Sequence, residues 1–145
     1  MSFLSSFNIS ASGMTAQRLR LDVASENIAN LETTRTEEGT PYRRKLVVLE
    51  ADRESSFGAI FQKASGRGNR YGVKATAVID DQTELKPVYD PEHPDADENG
   101  YVMMPNVDLI EETTDAMAAT RSYEANITAY NAMKMMAQKA LEIGK

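Results

Sequence analysis

Residues 105–145 read PNVDLIEETTDAMAATRSYEANITAYNAMKMMAQKALEIGK, and this stretch decides what kind of fold the chain builds. After Pro105 there is no proline, and no glycine until Gly144, so nothing in between breaks a helix. Asp108 and Glu111 match the D-x-x-E form of a capping box. Asp108, Glu111, Glu112 and Asp115 crowd the first turns while Lys134, Lys139 and Lys145 come late, the order a helix dipole favours. Leu109, Ala116, Tyr123, Tyr130 and Ala137 recur every seven residues, with Ala119, Ile127, Met133, Ala140 and Leu141 on adjoining positions. Some 35 residues of helix span about 50 Å, wider than a compact domain of this size. A single long helix with one apolar stripe needs a partner surface.

A second such helix lies at the other end. Residues 8–32 read as a helix: Phe7, just before it, and Met14, Leu21 and Ile28 recur every seven residues, with Ala24 and Leu31 at the intermediate positions of the later repeats. That is a narrow coiled-coil seam, weak at Ser10 and Gln17. Gly13 costs about 1 kcal/mol against alanine inside a helix. Among Ala11, Ser12 and Ala16 it forms a small-residue patch that lets another backbone approach.

The middle of the chain is different. ETTRTEEGTP, residues 32–41, is a loop. Leu46–Leu49 has strand composition, and residues 65–72 are Gly-rich. Val73, Ala75, Ala77 and Ile79 alternate with polar residues as in a half-buried strand. LKPVYDP suits a short edge strand, since Pro87 has no amide to donate. Residues 91–105 read as a turn. The expected fold is α+β: long N- and C-terminal helices pair as a coiled-coil-like layer around a small β-rich module. Residues 1–35 and 106–145 form the helical domain, and 36–105 the β-rich and loop module. Each sticky helix face can meet the other helix or a copy of itself, and ordering either one requires tertiary burial.

Composition narrows the function. Cysteine is absent, which removes disulfides, thiolate metal sites and thiol nucleophiles. No apolar run is long enough for a membrane helix, and MSFLSSFNIS lacks the pattern of a cleaved secretory signal. Eight Met and no Trp favour soft, small-residue packing between helices. The net charge of −6 is uneven, about +3 over residues 1–74 and −9 over 75–145. Solvated faces of different sign explain that, as does head-to-tail contact between copies.

Motifs for chemistry are thin. DADENGYV, residues 95–102, follows the start of a calcium loop, but Asn106 stands where a bidentate Glu is required. His93 is the only histidine and has no evident partner. GRGNRYG is neither a P-loop nor a dinucleotide fingerprint. No catalytic, cofactor-binding or metal residue is assigned, and no enzyme activity is expected.

ISASGMTAQRLRLDVASENIAN resembles the N-terminal signature of bacterial flagellar rod, hook and hook-associated proteins. The DPEHPDADENGYV turn, PNVDLIEE and the TRSYEAN run are more specific and resemble the flagellar basal-body rod proteins nearly end to end. Leu31 and Glu32 depart from the small or polar residues usual after ASENIAN. The resemblance implies a structural subunit of the proximal rod that crosses the periplasm. It would be exported by the flagellar type III apparatus and polymerise helically, its terminal helices lining the inner tube. Its partners would be itself, other rod proteins and the rod-to-base adaptor, with no nucleic acid and no membrane span. The alternative is a soluble two-helix protein-binding module.

On this reading the subunit interface comprises Met14, Leu21, Ile28 and Leu31 with Leu109, Ala116, Tyr123, Ile127, Tyr130, Ala137 and Leu141. The charge asymmetry adds Arg43, Arg44, Arg67 and Arg70 as electrostatic contacts to the acidic 90–98 or 108–115 segments of neighbours.

Overall fold

A computed structural model of the chain describes residues 3–52 and 71–143. Helix α1 runs Phe3–Ala29, followed by strands β1 (Lys45–Asp52), β2 (Gly72–Asp80), β3 (Lys86–Tyr89) and β4 (Tyr101–Met104). Helix α2, Leu109–Ile143, closes the order. The architecture is α+β, with two long terminal helices and two small antiparallel sheets between them. Its 35 residues give α2 a length of about 52 Å.

Asp108 starts α2: its Oδ1 accepts the amides of Ile110 at 2.9 Å and Glu111 at 3.3 Å. Those two bonds hold the Asp108 carboxyl below the usual carboxylate range. The expected capping box is half made, because Glu111 turns to Arg44 Nη1 at 3.0 Å. With a charged guanidinium as donor, the carboxylate gains more than from the uncharged cap amide.

β1 pairs with β2 from Lys45↔Asp80 to Asp52↔Gly72, with a register shift between Val48 and Leu49. β3 pairs with β4 from Lys86↔Met104 to Tyr89↔Tyr101. Sequence reading missed β4, which sits at the end of a stretch with turn composition. Val73 and Ile79 are 37% and 49% exposed, so β2 is not the half-buried strand expected. A two-stranded ribbon leaves much of its surface uncovered, whatever its alternation.

The helices pack antiparallel. Asn27 meets Glu112, a Cβ on Gly13 would lie 2.9 Å from Asn126 Oδ1, and the Phe7 and Tyr130 rings stand edge to face at 4.8 Å. Going back along α1 is going forward along α2. The β1–β2 ribbon packs on α1. There Ser12 Oγ accepts the Val73 amide at 3.1 Å, and glycine at 72 leaves room for the Ser12 side chain. Among the described residues α2 packs on α1 and on no strand. The buried apolar residues are mostly small: Ala16, Val23, Ala24 and Ala119, with Tyr42, Val102 and Val107.

Candidate assembly site: a polar clamp and the helix faces around it

Where α1 ends and α2 begins, the chain buries polar groups. Asn27 is 1% exposed and Glu112 is 2% exposed. Asn27 Nδ2 donates to Glu112 Oε2 at 3.0 Å and to the Lys45 carbonyl at 3.0 Å. Its Oδ1 accepts the Lys45 amide at 2.9 Å and the Tyr42 hydroxyl at 2.9 Å. A side-chain amide therefore docks on the backbone at the start of β1 as another strand would. Such a group is tolerated in the interior only when its bonds are satisfied.

Arg44 completes the clamp. Its Nε donates to Glu112 Oε1 at 2.5 Å, and its guanidinium reaches Glu111 at 3.0 Å, Asp115 at 3.5 Å and Asp81 at 3.9 Å. Burial alone would lower the Arg44 pKa, but the bond to Glu112 and the charges of Glu112 and Glu111 raise it above the ordinary arginine value. The Arg44 amide donates to Asn106 Oδ1 at 2.8 Å, and Asn106 Nδ2 donates to Thr83 Oγ1 at 2.7 Å. Tyr42 is pushed up to about 12, first by burial and then by the charges of Glu26, Asp80 and Glu112. Loop, ribbon and both helices meet in one network.

This geometry revises the electrostatic expectation. Arg44, expected to face acids on a neighbour, instead binds the 108–115 segment of its own chain. The physical reason is proximity: the Tyr42–Lys45 segment is held at the α1–α2 junction by Asn27. Arg43 Nη1 donates to the carbonyls of Asp81 at 3.3 Å and Thr83 at 3.2 Å. Arg67 and Arg70 lie outside the described residues.

The apolar expectation is redistributed. The α1-facing stripe of α2 steps 112, 116, 119, 123, 126, 130, 133 and 137, alternating four and three residues as in a coiled coil. Ala116, Tyr123, Tyr130 and Ala137 lie on it, with Ile127 half-buried beside it. Leu109 continues its spacing at the first turn but is 49% exposed there, and Leu141 lies off it, 75% exposed. On α1 the residues placed against α2 include Phe7, Gly13 and Asn27. Met14, Leu21 and Ile28 are half-buried on a neighbouring stripe, and Leu31 falls in the turn beyond the helix. Small side chains let the helices approach closely, so the seam passes through Gly13, with Phe7 packing on Tyr130 at its far end.

Sequence reading overlooked a second stripe on α2. Ala118, Ala125, Ala129, Met136 and Ile143 are all exposed, with Ser122 and Ala132 between them half-buried. The stripe lies roughly a third of a turn around the helix from the first. Its four- and three-residue steps were readable, but alanine is too weakly apolar to stand out in a hydrophobicity pattern.

The acidic turn is built for shape. Asp97 Oδ1 accepts the amides of Asn99 at 2.9 Å and Tyr101 at 2.8 Å, and Gly100 takes a positive φ of 81°. Asp95 accepts from Thr34 at 2.8 Å and pairs with Arg35 at 3.6 Å. The two aspartates of the calcium-like motif thus have separate partners. His93 Nδ1 accepts the Asp95 amide at 3.1 Å. Among the described residues no three metal-binding side chains gather, and no helix is long and apolar enough to cross a membrane.

Both helical ends match known families. Residues 7–35 match the family described as flagella basal body rod protein, and residues 98–143 the C-terminal family of flagellar basal body rod FlgEFG proteins. Over its whole length the chain is 49% identical to the flagellar basal-body rod protein FlgC of Bacillus subtilis, with all of both chains covered. It is 43% identical to FlgC of Salmonella typhimurium, again over all of both chains. The FlgC of Borreliella burgdorferi is 42% identical, over 99% of this chain and 98% of the relative. The matched segments take in most of α1 with the turn after it, β4, all of α2 and the clamp residues Asn27 and Glu112, and the similarity to FlgC chains over the full length places the chain in the FlgC family of flagellar basal-body rod proteins.

Proposed function

We propose that the chain is a non-catalytic subunit that polymerises helically in the proximal rod, its terminal helices building the tube wall and its β-rich module, residues 36–105, facing outward. Its neighbours are other copies, other rod proteins and the rod-to-base adaptor, and it reaches them through the flagellar type III apparatus. The observation that carries this reading is the second stripe of α2. Pairing with α1 accounts for one apolar face of the helix, and Ala118, Ala125, Ala129, Met136 and Ile143 remain exposed for a helix from another copy. Leu109 and Leu141 are exposed on other faces of α2, and Met14, Leu21, Ile28 and Leu31 are half-buried on the α1 side; each offers a further apolar contact to a neighbour.

A self-contained two-helix binding module leaves the second stripe of α2 unexplained.

The test places charge on the open stripe. Ala125→Glu with Met136→Lys alters only exposed positions, so circular dichroism of the purified chain should stay unchanged. A cell whose own copy is replaced by this variant should lose rod assembly and motility. Motile cells with complete rods would overturn the reading.

A further inference from the structure

An apolar stripe repeating every seven residues has a built-in ambiguity: sliding one helix by a heptad restores nearly the same contacts. Here α2 is unusually dependent on that stripe, because among the described residues it packs on α1 and on no strand. Two polar positions interrupt the seam. At one, Asn27 meets Glu112, both buried. At the other, the amide of Asn126 fills the space left by the missing side chain of Gly13, three of its atoms lying 2.9–3.1 Å from where a Cβ would stand.

The spacing of these two points matches on both helices. Gly13 and Asn27 are fourteen residues apart, and so are Glu112 and Asn126, two heptads in each case. In the observed register both pairs form together. A slip of one heptad breaks both: Glu112 then faces Arg20 or passes the end of α1, and Asn126 faces Arg20 or Ser6. In neither slipped state does Asn126 find the glycine recess, and in both the buried groups of Asn27 and Glu112 lose each other. The apolar residues lose little by the slip, while buried Asn27 loses Glu112, Glu112 loses both Asn27 and its place beside Arg44, and the Asn126 amide, still bonded to the Ser122 carbonyl, must fit against a side chain instead of the glycine recess.

We infer that the Asn27–Glu112 and Gly13–Asn126 pairs are register pins, selecting one antiparallel alignment of the terminal helices among heptad-related alternatives. Arg44 reinforces the first pin by holding Glu112 from the loop side. A buried ionic group adds little net stability compared with apolar replacements, and its best-attested role is to specify register. The inference concerns pairing within one chain and holds whether or not copies polymerise.

The chain has no cysteine, so two can be placed at will. Thr15→Cys and Gln138→Cys are exposed on α1 and α2, and offset along the helix axis. Nitroxide labels there report the alignment by pulsed electron–electron resonance, and a one-heptad slip changes the distance by about 10 Å. The labelled full chain should give one narrow distance. Removing the recess pin (Gly13→Ala, Asn126→Ala) and making the clamp apolar (Arg44→Met, Glu112→Leu) should keep the helical circular dichroism and add a population displaced by about 10 Å. One unshifted distance in that variant overturns the inference, as does a broad distribution in the unaltered background. If the fourfold variant fails to fold, the Gly13→Ala, Asn126→Ala chain decides. Two alanines suit a helix, so it should fold, and the inference requires a minor displaced population there. An unchanged distribution in that chain overturns it.

Discussion

Asn27 and Glu112, 85 residues apart in the chain, meet at 3.0 Å in a site where neither side chain touches solvent appreciably. One closes the N-terminal helix and the other opens the C-terminal one. Their contact, shared with Tyr42, Arg44 and the backbone of Lys45, makes the two termini one structural unit.

Glu112→Ala removes the central acceptor of the clamp and leaves Arg44 and Asn27 buried without it. Breaking a buried pair from one side costs about 3–5 kcal/mol. Arg44 keeps Glu111, Asp81 and Asp115, so the loss should fall near about 3 kcal/mol. Urea unfolding followed by far-ultraviolet circular dichroism measures it, and a change near zero would show that Glu112 is not integral to the fold.

Asn27→Leu keeps the branching of the side chain but strips four hydrogen bonds from the junction. The amide and carbonyl of Lys45 lose the side chain they bond, at about 1–3 kcal/mol for each group left unsatisfied. The expected signature is a lower unfolding midpoint together with faster amide hydrogen exchange at Lys45. Unchanged exchange would mean water or another group replaces Asn27 there.

Gly13→Ala sets two effects against each other. Helix propensity favours alanine by about 1 kcal/mol, while the new methyl meets the whole amide of Asn126 at 2.9–3.1 Å. Overpacking of this kind costs about 1–3 kcal/mol, so a net loss is expected. Adding Asn126→Ala removes the obstacle and should return stability to at least the starting value. A double-mutant cycle reads the coupling directly, and additive effects would exclude the contact.

Alkaline titration should reveal Tyr42. Its hydroxyl ionises at about 12 in the folded chain, against 10.0 for the ordinary group. The unfolded chain therefore sheds this proton first, so stability is full below pH 10 and falls as pH rises toward 12. The loss across that window is on the order of 2–3 kcal/mol. Tyr42→Phe should remove this limb of the profile, at a cost of about 1 kcal/mol at neutral pH for the lost bond to Asn27 Oδ1. A variant with the same alkaline slope would assign the effect elsewhere.

Much was legible in the linear chain. The run free of proline and glycine from residue 106 to 143 and the cap at Asp108 located α2 almost to the residue. Seven-residue spacing located α1, although its start lies at Phe3 rather than residue 8. Gly13 was readable as a point of close approach. The polar clamp was not: Asn27, Arg44 and Glu112 each look like ordinary surface residues, because polarity in a sequence implies solvent unless the partners are known. β4 was hidden by its neighbours, since four strand residues after an Asn-Gly turn carry too short a pattern to separate from the turn.

Periodicity, breakers and caps are local properties carried by covalently near residues, and they were sufficient to decide that this chain has two long helices with sticky faces. Which stripe of each helix is used, and in what register, depends on groups brought together from distant positions. Phe7, Met14, Leu21 and Ile28 formed the clearest apolar ladder on α1, yet beyond Phe7, which packs on Tyr130, the helix turns Gly13 and Asn27 toward α2. Close approach and satisfied buried hydrogen bonds outweighed side-chain size, and those are properties of the pair of helices, which neither segment possesses alone.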